Sequence, residues 1–550
     1  MMSVSAGLFR STLGLMVLLA ACSVWAEPPR LVVVIAVDQM RADYLDRFTA
    51  NYEGGLRRLR VDGAVFTDGH QDHALTQTAA GHATIATGVY PSRHGLVANE
   101  FWDRKSQQAV GAVTDSTTRL VGADGRAGSS PTRLLRSGLG DWLKMRSPES
   151  KVAAVSIKDR AAILMSGMSP DVAFWADLRT GQFVTSDYYL PALPVWAAEF
   201  NSAGAVTRYN GTEWTKLKAD AVYDESPWPE LAGRDPAAYS MFPHLLGTPG
   251  EAPGRRFLAA HRSSPYADLV TLNFARELLE HEGFGRDEVP DLLFIGLSAA
   301  DYIGHRYGPY SHEIHDHFLR LDGYLGDFFE FLDEQVGPDA YVVALSADHG
   351  VLPVPEQLAE LGVDASRIHP DELVAFVKPV VEAAVARGEL ATMPELDYQA
   401  GPTFDFSDQP PSPEVLDALQ LAVAARLLQH PLVAAAYTYN DQLRGNIEDD
   451  DWADSFGRSF HPDRAPDVTI KLRENQLLRP ATSGTGHGSP YRYDTHVPIV
   501  FLGAGIAAGQ HSGRVQTTDI APTLARIFEI EAPDDLDGRD LYESIRRPIQ

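Results

Sequence analysis

The stretch Leu31-Val32-Val33-Val34-Ile35-Ala36-Val37-Asp38 decides how the rest of the chain is read. Seven apolar residues, most of them β-branched, describe a strand buried on both faces, as in parallel sheets. It ends on a carboxylate. Residues 152–157, 292–297, 341–345 and 498–502 have the same character, and each run leads into polar, chemically capable residues. Helical patterns over 267–280 and 313–334 lie between them, so the alternation predicts an α/β fold with a largely parallel sheet. Ligands of such sheets collect at the carboxyl ends of the strands.

Five groups stand at those ends or in glycine-flanked loops. Asp38 follows the first strand. Thr78 opens the small-residue segment Thr76-Gln77-Thr78-Ala79-Ala80-Gly81-His82-Ala83-Thr84-Ile85-Ala86-Thr87-Gly88, read as a helix stopped by Gly88. A hydroxyl there faces free backbone N–H groups and the positive end of the helix dipole, which favour an incoming phosphate. Asp301 and His305 are spaced four apart on one helical face and could share a metal ion. Asp348-His349-Gly350 follows the run 341–345, and His487 precedes Gly488. Each has a plainer reading alone: Asp38 as a turn or cap residue, Thr78 as a helix cap, each histidine as structural. Together, three carboxylates and three histidines make two sets of N/O ligands.

Bulk properties narrow the function. The formal charge is 47 − 74 = −27, which argues against nucleic acid as a partner and requires a phosphate-binding site to concentrate its own positive charge. Residues 1–26 resemble a secretory signal, with Arg10 ahead of an apolar run too short to span a bilayer. Cleavage after Val24-Trp25-Ala26 competes with a lipobox reading of Leu19-Ala20-Ala21-Cys22, which would anchor the protein by lipid. Cys22 is the single cysteine, so no intramolecular disulfide can form. No later stretch predicts a membrane helix. The mature chain is read as one catalytic unit over 27–550, with insertions around 166–264 and 352–478 that cap the site or merely decorate the surface.

The order Asp, T-x-x-G-H-x-x-x-x-T-G, D-x-x-x-H, D-H-G, H-G resembles the alkaline phosphatase superfamily, over about residues 31–541. Thr518-Asp519-Ile520-Ala521-Pro522-Thr523-Leu524 and Leu536-Asp537-Gly538-Arg539 add to the likeness. The resemblance implies an α/β/α sandwich around a large, mostly parallel sheet. It also implies two zinc ions, one held by Asp38, Asp348 and His349 beside the nucleophile Thr78, the other by Asp301, His305 and His487. His496 is a rival to His487 and is read as a supporting residue, and His82 as a packed one.

Within the superfamily, Asn99 stands where threonine-nucleophile members carry an asparagine. Ser156-Ile157-Lys158-Asp159-Arg160 is similar to the Lys/Arg pair of the phosphate-irrepressible alkaline phosphatases. By that likeness Asn99, Lys158 and Arg160 bind the nonbridging oxygens of a phosphate monoester. The expected activity is thus an exported, most plausibly periplasmic, phosphomonoesterase acting on small phosphorylated substrates through a phosphothreonine. A phosphodiesterase or nucleotide pyrophosphatase is the alternative within the superfamily, and a non-catalytic phosphate- or phosphonate-binding protein the alternative outside enzymes.

Overall fold

The computed structural model describes residues 28–223, 242–398, 402–406, 410–447 and 452–548; the leader, Cys22 and Trp228 lie outside them. One eleven-stranded sheet organises the chain. In chain order its strands are β1 (Leu31–Val37), β2 (Ala64–Phe66), β3 (Thr114–Val121), β4 (Ala127–Ser129), β5 (Val152–Ser156), β6 (Val172–Ala176), β7 (Phe183–Ser186), β8 (Asp291–Leu297), β9 (Tyr341–Ser346), β10 (Ile499–Gly503) and β11 (Gly509–His511). They lie side by side as β11-β2-β10-β9-β1-β8-β5-β6-β7-β3-β4.

The centre, β9-β1-β8-β5-β6, is wholly parallel. Toward the edges β10, β7 and β4 run against the common direction. The principal helices are α1 (Thr78–Thr87), α2 (Asp159–Ser166), α3 (Tyr266–Glu282), α4 (Ala299–Tyr307), α5 (His312–Gln335), α6 (Pro370–Ala386) and α7 (Pro413–Leu427).

The pleat of β1 explains the layering. Leu31, Val33, Ile35 and Val37 join one apolar cluster with Phe274 of α3 and Phe318 of α5. Val32, Val34 and Ala36 join the other, with Ala79 and Ala83 of α1 and Ile163 of α2. Alternate side chains of a strand point to opposite faces, so β1 has to be apolar throughout. The product is a sandwich of helix, sheet and helix. Gly88 ends α1 in the left-handed region (φ 66°), as a glycine after the last helical turn does.

Two stretches depart from this frame. β6 and β7 lie within 166–264 and belong to the main sheet; the same stretch carries a hairpin, Thr212–Trp214 with His244–Leu246, anchored by Trp214 Nε1 donating to Asp316 Oδ2 at 2.6 Å. From Ile368 onward, α6, α7 and the strand pair Val433–Thr438/Val468–Leu472 form an apolar core of their own, with Leu373, Val377, Val381, Leu419, Val423 and Leu427 at its centre. Arg104 ties that unit to the main body: its guanidinium donates to the Ala465 carbonyl and to Asp467, at 3.0 Å each, and lies over the Tyr439 ring.

Candidate metal centre and phosphate site

The carboxyl ends of the central parallel strands bring the sequence motifs together. β1 delivers Asp38, β8 leads through Ser298 into α4 with Asp301 and His305, β9 delivers Asp348 and His349, and β5 delivers Lys158 ahead of α2. His487 enters from the C-terminal loop, its Nδ1 2.7 Å from the Thr76 carbonyl. That carbonyl lies two residues before Thr78, which is buried as the first residue of α1.

The three carboxylates and three histidines converge. Asp301 Oδ1 lies 3.1 Å from His305 Nε2 and 3.7 Å from His487 Nε2. His349 Nε2 lies 3.2 Å from Asp348 Oδ2 and 3.7 Å from Asp38 Oδ1. The His349 and His487 rings stack with centroids 3.5 Å apart, so the two sets adjoin. Groups of three whose ligand atoms lie within 4.8 Å of one another divide the residues a little differently from the sequence pattern: at this site Asp301, His349 and His487 form one, and Asp38, His82 and Asp348 another. His349 is within reach of either set.

The tautomers decide what this geometry can hold. His349 Nδ1 lies 2.9 Å from the Gly350 carbonyl and His487 Nδ1 on that of Thr76, so each places its proton there and turns a bare Nε2 toward carboxylate oxygens. His305 Nδ1 lies 2.8 Å from the Thr485 carbonyl, which it shares with Arg479, whose Nη1 is 2.6 Å from the same ring nitrogen. Lone pairs facing lone pairs at such distances repel unless a cation stands between them. Burial, with the neighbouring histidines, pushes His487 well below the ordinary imidazole range, and burial lowers His349, so both rings are neutral as metal ligands require.

Charge points the same way. Three fully or nearly buried carboxylates face one lysine, Lys158, whose Nζ lies 2.6 Å from both Asp38 Oδ2 and Asp301 Oδ2. Burial disfavours the ammonium, but Asp301 and Asp38 outweigh it and hold Lys158 charged above its usual range. Burial likewise opposes ionisation of Asp301, and His305 and Lys158 overcome it to hold the carboxyl well below normal. Asp38 is left with the surplus: burial and then Asp348 lift it well above the carboxylate range despite Lys158, and neither of its oxygens has hydrogen-bond geometry to a partner. Buried carboxylate oxygens that lack hydrogen-bond donors, such as Asp38 Oδ1 and Asp348 Oδ2, bare imidazole nitrogens and three carboxylates against one lysine fit a pair of divalent cations.

Residues with no signal in the sequence build the surroundings. Gln39, in the left-handed region at φ 68°, donates from its backbone N–H to Asp348 Oδ1 at 3.1 Å and from Nε2 to Asp301 Oδ1 at 2.7 Å, linking the two sets. Asp494 Oδ2 accepts from the backbone N–H groups of Gly488 and Ser489 and from the Ser489 hydroxyl, fixing the loop behind His487. His82, buried on α1, places Nδ1 2.8 Å from the Thr78 carbonyl and 3.3 Å from Asp348 Oδ2. His496 instead stacks on His70, 5.1 Å between centroids, beside Asp68.

At Gln77, the residue before Thr78, lies a cavity of about 390 Å³ lined also by Asn99 and Arg160 among others. Asn99 Oδ1 accepts from the Ala79 N–H at 2.9 Å, which leaves its amide N–H groups for another acceptor. Arg160 Nε is buried without a partner.

The chain belongs to the type I phosphodiesterase / nucleotide pyrophosphatase family, which it matches over residues 32–478. Among its relatives, alkaline phosphatase PafA of Elizabethkingia meningoseptica is 32% identical over 94% of this chain and 95% of that one. Alkaline phosphatase PhoK of a Sphingomonas species is 32% identical over 95% and 92%. The crystal structure of wild-type PafA superposes with a TM-score of 0.82 over 94% of this chain and 99% of that one, at 29% identity. Murine ectonucleotide pyrophosphatase / phosphodiesterase 5 shares the fold, with a TM-score of 0.52 at 13% identity.

Proposed function

We propose that the protein is an exported, two-zinc phosphatase that hydrolyses phosphate monoesters through a phosphothreonine on Thr78. The observation that carries the monoester reading is Arg160, a guanidinium with a buried, partnerless Nε, which lines one cavity with Asn99 and with Gln77, the residue before Thr78. Such a cation is built for an anion, and a monoester's phosphoryl group carries more negative charge than a diester's.

One metal is assigned to Asp38, Asp348 and His349 and the other to Asp301, His305 and His487. When bound, the pair supplies Lewis acidity, lowering the pKa of a coordinated hydroxyl and neutralising charge on a departing oxygen. Thr78, at the first turn of α1, attacks phosphorus with its oxygen as the P–O bond to the alcohol breaks and the alcohol departs; water then displaces the Thr78 oxygen from phosphorus, restoring the hydroxyl and releasing inorganic phosphate. Asn99 holds one nonbridging oxygen through its free amide hydrogens, since Ala79 fixes the carbonyl end. Arg160 takes the oxygens on the cavity side, and Lys158 places its ammonium at the junction of the two carboxylate sets. Fixed donors of this kind account for most of the rate in a loose phosphoryl-transfer transition state.

The segment around 352–478 is assigned as a covering of the site, and so is the part of 166–264 that follows the sheet strands β6 and β7. Among the described residues no helix is long and apolar enough to cross a membrane. Export rests on the leader at residues 1–26, with a periplasmic product either free or held by lipid on Cys22.

The family's name favours a second reading, a phosphodiesterase. A purified sample assayed on a monoester and a diester of the same alcohol, with its metals quantified, separates the two. A higher kcat/KM for the monoester with about two zinc ions per chain is expected. A higher kcat/KM for the diester would transfer the assignment to the second reading.

A further inference from the structure

A second cavity, of about 160 Å³, shares Gln77 with the Arg160 cavity and none of its other lining residues. Its position follows the chemistry. Gln77 immediately precedes Thr78 and lines both spaces, so the residue next to the nucleophile joins them. The second cavity is lined by His487, one of the residues assigned to the metal beside the departing oxygen. In an in-line displacement the leaving oxygen lies across phosphorus from the attacking one. With the nonbridging oxygens on the Asn99 and Arg160 side, the alcohol emerges toward His487.

The walls mix apolar and aromatic side chains with polar ones, Gln476, Ser489 and Asp494 among them, and come from two parts of the molecule. Ile470 and Leu472, two residues apart and therefore on one face of the strand Val468–Leu472, line it with Phe456 from the inserted unit. Tyr491 and Tyr493, from the loop that follows His487, line it from the main body. The lining contains a single lysine or arginine, Lys471, whose ammonium lies over the Trp452 ring at 5.5 Å. A second phosphate would need more positive charge than that. The volume matches one six-membered ring: an engineered apolar cavity of roughly 150 Å³ takes up benzene.

We propose that this cavity is the alcohol subsite of the phosphatase, and that it selects monoesters whose alcohol carries a single apolar ring. The proposal rests on the monoesterase reading above and adds the substrate class to it. Filling the cavity with Ile470→Trp should remove the ring's berth. In that variant the ratio of kcat/KM for benzyl phosphate to that for glycerol phosphate should fall about tenfold or more from the wild-type ratio, the scale on which an apolar pocket discriminates. Both substrates have alkyl leaving groups, and comparison with wild type cancels intrinsic reactivity. A ratio within about twofold of wild type would overturn the subsite.

A measurement on the unaltered protein stands beside it. Benzylphosphonate should inhibit about tenfold or more tightly than methylphosphonate. Equal inhibition constants would overturn the proposal even if the tryptophan variant failed to fold. Absence of wild-type activity on either monoester would instead refute the underlying reading, so the two failures are distinguishable.

Discussion

Gly81 passes so close to Asp348 that a methyl group added to its α-carbon would stand 2.1 Å from the Asp348 carbonyl oxygen. The atom in the way is backbone, at the end of a central strand, and cannot swing aside. The helix carrying Thr78 is therefore seated directly on the loop carrying Asp348 and His349. Gly81→Ala must push the two apart, and a displacement of about 1 Å at a catalytic centre costs on the order of 100-fold in rate. Steady-state kinetics and circular dichroism on the same preparation should show that loss of kcat/KM with helix content retained.

Thr78→Ala should abolish turnover, by at least about 10³-fold, because it removes the nucleophile. Zinc analysis should give the wild-type stoichiometry, since the six ligands are untouched. Thr78→Ser should restore part of the activity and form a phosphoserine detectable by mass spectrometry after acid quench.

Arg160→Ala tests the anion site. Removing one charge-stabilising donor costs about 10²–10³-fold in kcat, and that loss is expected for a monoester. For a diester, with less charge on its phosphoryl oxygens, the loss should stay below about tenfold. Equal losses would show that Arg160 does not discriminate by charge.

Gln39 is the positioning residue most open to test. Gln39→Ala removes the side-chain hydrogen bond to Asp301 Oδ1 and keeps the backbone one to Asp348. Loss of such an outer-sphere partner typically lowers metal affinity by about 10- to 100-fold. Competition with a chromogenic chelator would measure it. Unchanged affinity would show that Gln39 only fills space.

Asp268, fully buried, accepts from the Ala299 N–H at the start of α4, and burial raises its carboxyl to about 7. Its neighbour His317, with Nε2 3.5 Å from Asp268 Oδ2, is pushed down to about 3 by burial and stays neutral. Between pH 4 and 7 the folded chain keeps the Asp268 proton that the unfolded chain has released. The Asp268 contribution to stability therefore falls as pH rises through this window, by up to about 4 kcal/mol once it is ionised, while His317, lowered by burial, contributes in the opposite sense. Asp268→Asn keeps the acceptor and removes the charge. Its urea midpoint should exceed that of wild type at pH 8, and the advantage should vanish at pH 4.

How far the site could be read in advance depends on the range of the contacts. Asp38, Asp301 and Asp348 are visible because strands buried on both faces are unbroken apolar runs, and each of these carboxylates stands within four residues of the end of such a run. Gly88 announced the end of α1 by its own conformational freedom. The bonds of Gln39 to Asp301 and of Asp494 to the Gly488 loop leave no periodicity and link no recognisable motif, so they emerge only in three dimensions. The stretch 352–478 stands out in the sequence as an insertion, but its elements do not: Pro370 and Pro413 are the first residues of α6 and α7, where a proline's missing N–H is no loss.

The scattered origin of the ligands also bears on durability. With one cysteine in the sequence, no covalent bridge can join distant parts of this chain. A bound ion gripping Asp38 and Asp348 together would clamp segments more than half the sequence apart, and closing so long a loop restricts the unfolded ensemble as a cross-link does. Metal supply would then govern how long the enzyme survives heat and proteases as well as how fast it turns over.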